Sequence, residues 1–103
     1  MQDKLLSFLG LARKAGKLNI GSDAVINSIL KLNSKLVLFA SDASQNTVSK
    51  ILKYSKKNNI VTLFCNRTKN DFYNMFNRQC AVLSVNDENF SKKICSLIKE
   101  ETK

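Results

Sequence analysis

The sequence contains no histidine, proline or tryptophan, and only three glycines among its 103 residues. Without histidine, the side chain that most often serves as a general base near neutral pH is missing. The chain also has no Cys-x-x-Cys pair, so the usual zinc ligand sets are absent. No GxGxxG, Walker A or GxSxG pattern is present either. We therefore expect a protein that is not an enzyme, with no catalytic residues, no metal and no cofactor.

The sequence contains only three cysteines, an odd number. Cys65, Cys80 and Cys95 each stand beside apolar residues, which is typical of small buried or half-buried hydrophobic side chains in a reducing compartment. No stretch approaches the ~20 apolar residues of a membrane span, and the first four residues do not match a signal peptide. We expect a cytoplasmic protein without a membrane partner.

Acidic residues are also scarce. There are 17 Lys and Arg residues against 8 Asp and Glu residues, which gives a formal net charge of +9. Such an excess favours binding to polyanions through counterion release. Nucleic acid is the commonest partner of this kind, and an anionic membrane surface is the main rival when charge alone is considered. A protein that is basic without such a partner remains a third interpretation, because net charge bears on association and not on fold.

Helical and strand-like patterns alternate along the whole chain, without repeats or linkers. The predicted helices span residues 3–15, 22–32, 45–57, 68–76 and a final segment after Asn86-Asp87; the predicted strands span residues 17–20, 35–40, 60–65 and 81–85. Thr68 and Asp71 have the spacing of a capping box. The alternation predicts an α/β fold, a three-layer α/β/α sandwich with a four-stranded mixed, largely parallel sheet. We expect one domain over residues 1–103.

The start of the second predicted helix combines several polar groups. Asp23, Asn27 and Lys31 recur at four-residue intervals and form a polar column on one side of this helix. The backbone N–H groups of Gly21 and Ser22 suit a phosphate. Asp23 can serve as a helix cap without further function, or it can belong to a surface that recognises a ligand. The pattern alone leaves both explanations open.

Three longer stretches resemble a known protein family. They read LGLARKAGKLNIGSDAV (residues 9–25), KLVLFASDASQNTVSK (35–50) and SVNDENFSKKI (84–94). These stretches resemble the kink-turn RNA-binding ribosomal protein family, the archaeal and eukaryotic L-seven-Ae group, and within it the small bacterial YlxQ-like branch. The resemblance extends from about Leu5 to Ile98 and implies a ribosomal-protein-like domain that binds structured RNA, with ribosomal RNA as one candidate.

The resemblance also implies where RNA binds. In the family, the first turn of the second helix meets tandem sheared G·A pairs, and the loop before the last strand packs on extruded nucleotides. The family motif Gly-x-Asn-Glu-x-x-Lys corresponds here to Gly21, Asp23, Ala24 and Asn27. The implied RNA-binding residues are Gly21, Ser22, Asp23, Asn27, Lys31, Lys69, Asn77, Arg78 and Gln79.

These observations predict a non-catalytic, monomeric RNA-binding protein that recognises a kink-turn. Because Ala24 and Asn27 depart from the family motif, a second hypothesis is kept: a protein–protein adaptor of the same fold with reduced or lost kink-turn specificity. A third is a binder of a small phosphate ligand at Gly21-Ser22.

Overall fold

The computed structural model describes residues 3–101 and contains five helices and four strands in this range. They are α1 (Lys4–Lys14), β1 (Leu18–Ile20), α2 (Ser22–Leu30), β2 (Leu36–Phe39), α3 (Gln45–Lys57), β3 (Val61–Phe64), α4 (Lys69–Phe76), β4 (Val82–Val85) and α5 (Glu88–Glu101). The predicted order of elements is confirmed, and the bounds agree within about two residues, the usual uncertainty at helix and strand ends. None of the described helices has the length and hydrophobicity needed to cross a membrane.

The four strands form one mixed sheet in the order β1-β4-β2-β3. The strand β4 runs antiparallel to both of its neighbours, β1 and β2. Only β2 and β3 pair in parallel. The α/β class and the mixed four-stranded sheet are therefore confirmed, whereas the prediction that the sheet is largely parallel is wrong.

The path of the chain through α4 explains this difference. A parallel crossover requires a helix that returns the chain to the opposite end of the sheet. The helix α4, with eight residues, does not return the chain in this way, although it is only one residue shorter than α2, which does. The residues that follow α4, Gln79 to Ala81, line the same cleft as Asp42, after β2, and Lys69, after β3. The chain thus enters β4 from the end at which β2 and β3 finish, and β4 runs antiparallel to them.

Two hydrophobic clusters, one on each face of the sheet, make up the core. The helices α1, α4 and α5 cover one face through residues such as Leu5, Phe72 and Ile94. The helices α2 and α3 cover the other face, with Ile29 and Ile51 buried against the sheet. These layers give the predicted three-layer sandwich.

The strands differ in how fully the layers cover them. Every residue of β2 and β4 is buried, as the continuous apolar pattern of β2 predicts. The strand β3 lies at the sheet edge, and its Val61 and Phe64 remain 56% and 55% exposed.

Local capping signals in the sequence match the structure at two helix starts. The Thr68 side chain accepts the N–H of Asp71, and the Asp71 carboxylate accepts the N–H of Thr68, so the predicted capping box is present. Asp87 accepts the N–H of Phe90 at the start of α5. Asn86 instead joins a polar cluster in the interior.

That interior cluster lies between α2 and the central strand β4. The Ser84 hydroxyl oxygen is 2.7 Å from the hydroxyl of Ser34 and 2.7 Å from Oδ1 of Asn86. Ser28 donates to the same Asn86 oxygen at 2.7 Å, and the Asn86 amide donates to Asn19. Because Ser28, Ser34 and Ser84 are buried, these bonds replace the water that the hydroxyl groups lose on folding.

All three cysteines are free thiols, with Cys65 buried and Cys80 and Cys95 half-buried, as the sequence predicts. Burial raises the pKa of Cys65 to about 11. Burial also raises the pKa of Cys80, although the positive charges of Arg78 and Arg13 act to lower it. Both thiols are therefore protonated at neutral pH, the unreactive form of cysteine.

Candidate functional site

The helices α2, α3 and α4 begin at one edge of the sheet. The N–H of Gly21, between β1 and α2, donates to the carbonyl of Val82 at 3.0 Å, and the N–H of Ala40 donates to the carbonyl of Ala81 at 2.8 Å. The ends of β1, β2 and β3 therefore meet the start of β4. We call this region, residues 21–23, 41–45, 67–70 and 77–81, the helix-start edge. Because α2, α3 and α4 all begin there, their dipoles direct partial positive charge towards it.

The three helix starts differ in how their backbone donors are used. Ser44 caps α3 by accepting the N–H of Thr47, and Thr68 caps α4. The N-cap residue of α2 is Gly21, with φ 95° and ψ 159°, and no side chain caps this helix. The hypothesis that Asp23 serves as the helix cap is therefore wrong, because Asp23 lies in the first turn and its side chain makes no capping bond. The first N–H groups of α2 have no side-chain acceptor and suit an anionic ligand.

A cleft of about 660 Å³ lies on the same edge. Asp42 follows β2 and accepts the backbone N–H of Lys69 at 2.8 Å, which joins the start of α4 to the loop before α3. Tyr73, one helical turn further along α4, lines the cleft and is 45% exposed. The cleft thus offers a lysine, an aromatic ring and polar backbone, the groups that single-stranded nucleic acid requires for its phosphates and bases.

The loop between α4 and β4 forms one wall of this cleft. Asn77 adopts a left-handed conformation with φ 57° and ends α4 through its N–H bond to the carbonyl of Tyr73. Arg78 and Gln79 follow with exposed side chains. Gln79, Cys80 and Ala81 line the cleft directly.

The residues predicted from the sequence fall into two groups. Seven of them lie on the helix-start edge: Gly21, Ser22, Asp23, Lys69, Asn77, Arg78 and Gln79. Asn27 is exposed one turn further along α2. Lys31 is the C-cap of α2, eight residues beyond Asp23 and thus about 12 Å along the helix axis. The structure therefore does not bring Lys31 to the edge, although all three members of the column are exposed.

Arg67 precedes Lys69 in the same basic segment, but its charge is already paired. Its guanidinium donates to both carboxylate oxygens of Asp3, at 2.7 and 2.9 Å, and to Glu101. Hydrogen bonding to Arg67 lowers the pKa of Asp3, and its two carboxylate partners raise the pKa of Arg67. Arg67 therefore joins the starts of α1 and α4 to the end of α5 and has little capacity left for a ligand.

Asp42 and Tyr73 are among the cleft residues that were not predicted as site residues. Asp42 lies in a polar turn, and Tyr73 lies on a short amphipathic helix, so neither carries a local signal of its own. Their role follows only from the meeting of three loops at one edge. Within residues 3–101, no group of three or more His, Cys, Asp or Glu side chains is arranged to hold a metal ion.

Comparison of the sequence with protein families gives one match over most of the chain. The model of the ribosomal protein L7Ae/L30e/S12e/Gadd45 family matches residues 3–95. The chain is 32% identical over 97 residues to the RNA-binding protein YlxQ of Enterococcus faecium, covering 94% of this chain and 93% of that protein. It is 34% identical over 100 residues to the RNA-binding protein YlxQ of Bacillus subtilis (strain 168), covering 87% and 90% respectively.

Solved structures share the same fold. A Bacillus halodurans protein of unknown function superposes with a TM-score of 0.83 at 28% identity, over 95% of this chain and 99% of that chain. The 15.5 kD RNA binding protein of Giardia lamblia superposes with a TM-score of 0.69 at 14% identity, over 97% and 89%. At that low identity, the second likeness shows a shared fold alone.

Proposed function

Because the chain belongs to the ribosomal protein L7Ae/L30e/S12e/Gadd45 family, and within it to the YlxQ-like bacterial branch, we propose that it binds structured RNA at the helix-start edge. It is a binding protein and not an enzyme. Two relatives that match nearly the whole chain are named RNA-binding proteins. The formal charge of +9 supports a polyanionic ligand.

The observation that carries this proposal is the uncapped start of α2, which lies on the same edge as the cleft lined by Lys69. The N–H groups that follow Gly21 have no side-chain acceptor, and a phosphate oxygen is a natural partner for them. Lys69 and Arg78 are exposed on the same edge, where they would contact neighbouring phosphates. Such contacts set affinity and orientation and carry no sequence information.

Specificity would come from the exposed polar side chains of α2. An ionised Asp23 only accepts hydrogen bonds, so it would accept from the amino groups of guanines. The Asn27 amide both donates and accepts, and it would reach the next base edge one helical turn on. The tandem sheared G·A pairs of a kink-turn present guanine edges of this kind. We therefore propose a kink-turn as the preferred RNA.

The cleft would hold a nucleotide that the bent RNA displaces from its stack. Tyr73 offers an exposed ring for stacking, and Gln79 offers an amide for the edge of the base. Recognition of unstacked bases by aromatic and amide side chains is how proteins commonly read single-stranded RNA elements. Asn77, which turns the chain at the end of α4, would set the position of this loop.

A gel-shift titration at constant salt tests the proposal. One RNA contains a kink-turn with tandem G·A pairs, and a matched RNA replaces these pairs with Watson–Crick pairs. We expect the kink-turn to bind at least about tenfold more tightly, as for the loss of one or two base-edge contacts. Equal affinities would contradict kink-turn recognition, and the absence of binding to both RNAs would contradict RNA binding itself.

A pair of variants separates base recognition from general affinity. Asp23→Ala should reduce the discrimination between the two RNAs while leaving affinity for the Watson–Crick RNA nearly unchanged, because the lost group contacts bases. Glu88→Ala is the matched control, since Glu88 is also an exposed acidic residue in the first turn of a helix. It lies after the carboxyl end of β4, at the opposite edge of the sheet, and should change neither affinity.

A further inference from the structure

A groove runs along the outer surface between α1 and α5. Two depressions, of about 580 and 420 Å³, adjoin there and share Phe8 and Leu11 as common lining. Ala15 lines the first depression and Lys4 lines the second, so together they follow the whole length of α1. We call this feature the α1–α5 groove. The distance from Lys4 to Ala15 corresponds to about 17 Å of helix.

The floor of the groove is apolar. Leu11 is 55% exposed, although it lies in the middle of a helix. Beside it, the rings of Phe8 and Phe90 are half-buried and pack with their centroids 5.0 Å apart. Leu97 continues the apolar surface along α5. Leu11 and the two rings thus form a narrow apolar strip along the groove.

Positive charges surround this floor. The exposed lysines Lys4 and Lys14 extend from α1, and Lys93 extends from α5. Within residues 3–101, no carboxylate forms an ion pair with any of these three lysines. Glu100 is the one acidic residue that lines the groove, at its far end.

We propose that the α1–α5 groove binds an acidic amphipathic helix of a partner protein. Apolar side chains at helical spacing would cover Leu11 and the Phe8–Phe90 pair, as in other complexes that place a helix in a groove. Carboxylates on the flanks of the same helix would meet the lysines. The length of the groove accommodates about three helical turns.

The alternatives fit these features less well. A second copy of the chain would bring another charge of +9 to a basic groove, which opposes association. RNA would satisfy the lysines but would leave the apolar floor without apolar partners. The groove belongs to the helical layer of α1, α4 and α5, whereas α2 belongs to the other layer. A helix in the groove would therefore leave the start of α2 accessible to RNA.

A designed peptide provides the test. The probe is a labelled peptide of about 15 residues, with leucines at positions i, i+3, i+4 and i+7 and glutamates elsewhere. Its control has the same composition in an order without helical periodicity. By fluorescence anisotropy, we expect the periodic peptide to bind at least about tenfold more tightly than its control. The largest amide chemical-shift changes should fall on residues 8–15 and 89–97.

Two variant pairs locate the contact. Leu11→Ser should weaken binding of the periodic peptide about tenfold, as for a central interface residue. Leu30→Ser is the control, since Leu30 is 60% exposed but lies on α2, away from the groove. It should leave the peptide affinity within about twofold of the unmodified protein. Lys14→Gln should weaken binding and make it less dependent on salt. Lys50→Gln, an exposed lysine on α3, should have neither effect.

Several results would overturn this proposal. Equal binding of the two peptides would show that charge alone attracts them. Chemical-shift changes centred on the helix-start edge would place the peptide at the proposed RNA site. A dimer in sedimentation equilibrium that Leu11→Ser dissociates would identify a second copy as the occupant, and RNA-induced changes centred on Leu11 would identify RNA.

Discussion

Gly21 and Val82 are joined by a backbone hydrogen bond of 3.0 Å, from the N–H of Gly21 to the carbonyl oxygen of Val82. This bond ties the start of α2 to the first residue of β4. It therefore holds the uncapped N–H groups of α2 next to the loop of residues 77–81, which lines the cleft. The helix-start edge depends on this juxtaposition, and Gly21 is the residue whose backbone makes it possible.

Replacement of Gly21 by alanine should destabilise the fold. The φ of 95° is unfavourable for any residue with a Cβ atom, and within residues 3–101 no atom beyond the two neighbouring residues lies within 4 Å of the added Cβ. The cost therefore arises from the backbone, and we expect about 1–3 kcal/mol from urea denaturation. In Gly10→Ala, the new Cβ would lie 3.6 Å from the Met75 sulfur, an ordinary contact. This helical control should be neutral or stabilising by up to about 1 kcal/mol, and equal losses in both variants would contradict the account.

The ion pairs of Arg67 with Asp3 and Glu101 should make the free energy of unfolding depend on pH in the acidic range. Because hydrogen bonding to Arg67 lowers the pKa of Asp3 below its ordinary value of 3.8, the ion pair stabilises the folded state fully at pH values above 3.8. This stabilisation is lost as the pH falls through the lowered pKa of the folded state. Arg67→Gln should remove about 1–2 kcal/mol at neutral pH. The variant should also show a smaller loss on acidification, as measured by urea denaturation between about pH 7 and pH 2.

The same variant tests whether Arg67 belongs to the RNA site. Its guanidinium is engaged with Asp3 and Glu101, so RNA affinity of folded Arg67→Gln should stay within about twofold of the unmodified protein. A large loss of affinity without a change in stability would show that Arg67 leaves its carboxylates to bind phosphate.

The buried polar cluster should contribute to stability through Ser84. Without the Ser84 hydroxyl, the buried Ser34 and the nearby Asn86 each lose one hydrogen-bond partner. Ser84→Ala should therefore cost about 1–3 kcal/mol in urea denaturation. Ser96→Ala, at an exposed position on α5, should change stability by less than about 0.5 kcal/mol. Similar effects of the two substitutions would argue against a structural role for the cluster.

Alkylation of the cysteines offers a readout of the cleft. Cys65 is buried and its pKa is raised to about 11, so it should resist iodoacetamide until the protein unfolds. Cys80 is half-buried and lines the cleft, so it should react slowly, and bound RNA should slow it further. Cys95 lies on α5 away from the edge, and RNA should not alter its rate. Peptide mass spectrometry over time distinguishes the three sites, and RNA protection of Cys95 instead of Cys80 would contradict the proposed interface.

Much of the fold could be predicted because its signals are local. The periodicity of apolar residues predicted every helix and strand, and the spacing of Thr68 and Asp71 predicted the capping box. The direction of β4 was harder to predict from the sequence, because it depends on whether α4 returns the chain across the sheet. That outcome is set by where the loop of residues 77–81 brings the chain, and the position of this loop does not change the apolar pattern of β4.

The site was predictable in part for the same reason. The family resemblance indicated Gly21 within the stretch of residues 9–25, Lys69 near the start of α4 and Arg78 in the loop before β4. It did not indicate that Arg67 is paired with Asp3 and Glu101, since these residues are distant in the sequence and meet only in the folded chain. The length of α2 likewise separates Lys31 from the edge, although the same four-residue spacing links it to Asp23.

The salt dependence of RNA binding tests the central proposal most directly. If Lys69 contacts a phosphate at the helix-start edge, Lys69→Gln should weaken binding and reduce the slope of log affinity against log salt concentration by about 0.7–0.9. Lys93→Gln removes the same charge from the α1–α5 groove and should leave the slope unchanged. An unchanged slope for Lys69→Gln together with a reduced slope for Lys93→Gln would contradict the proposal and would place RNA in the α1–α5 groove.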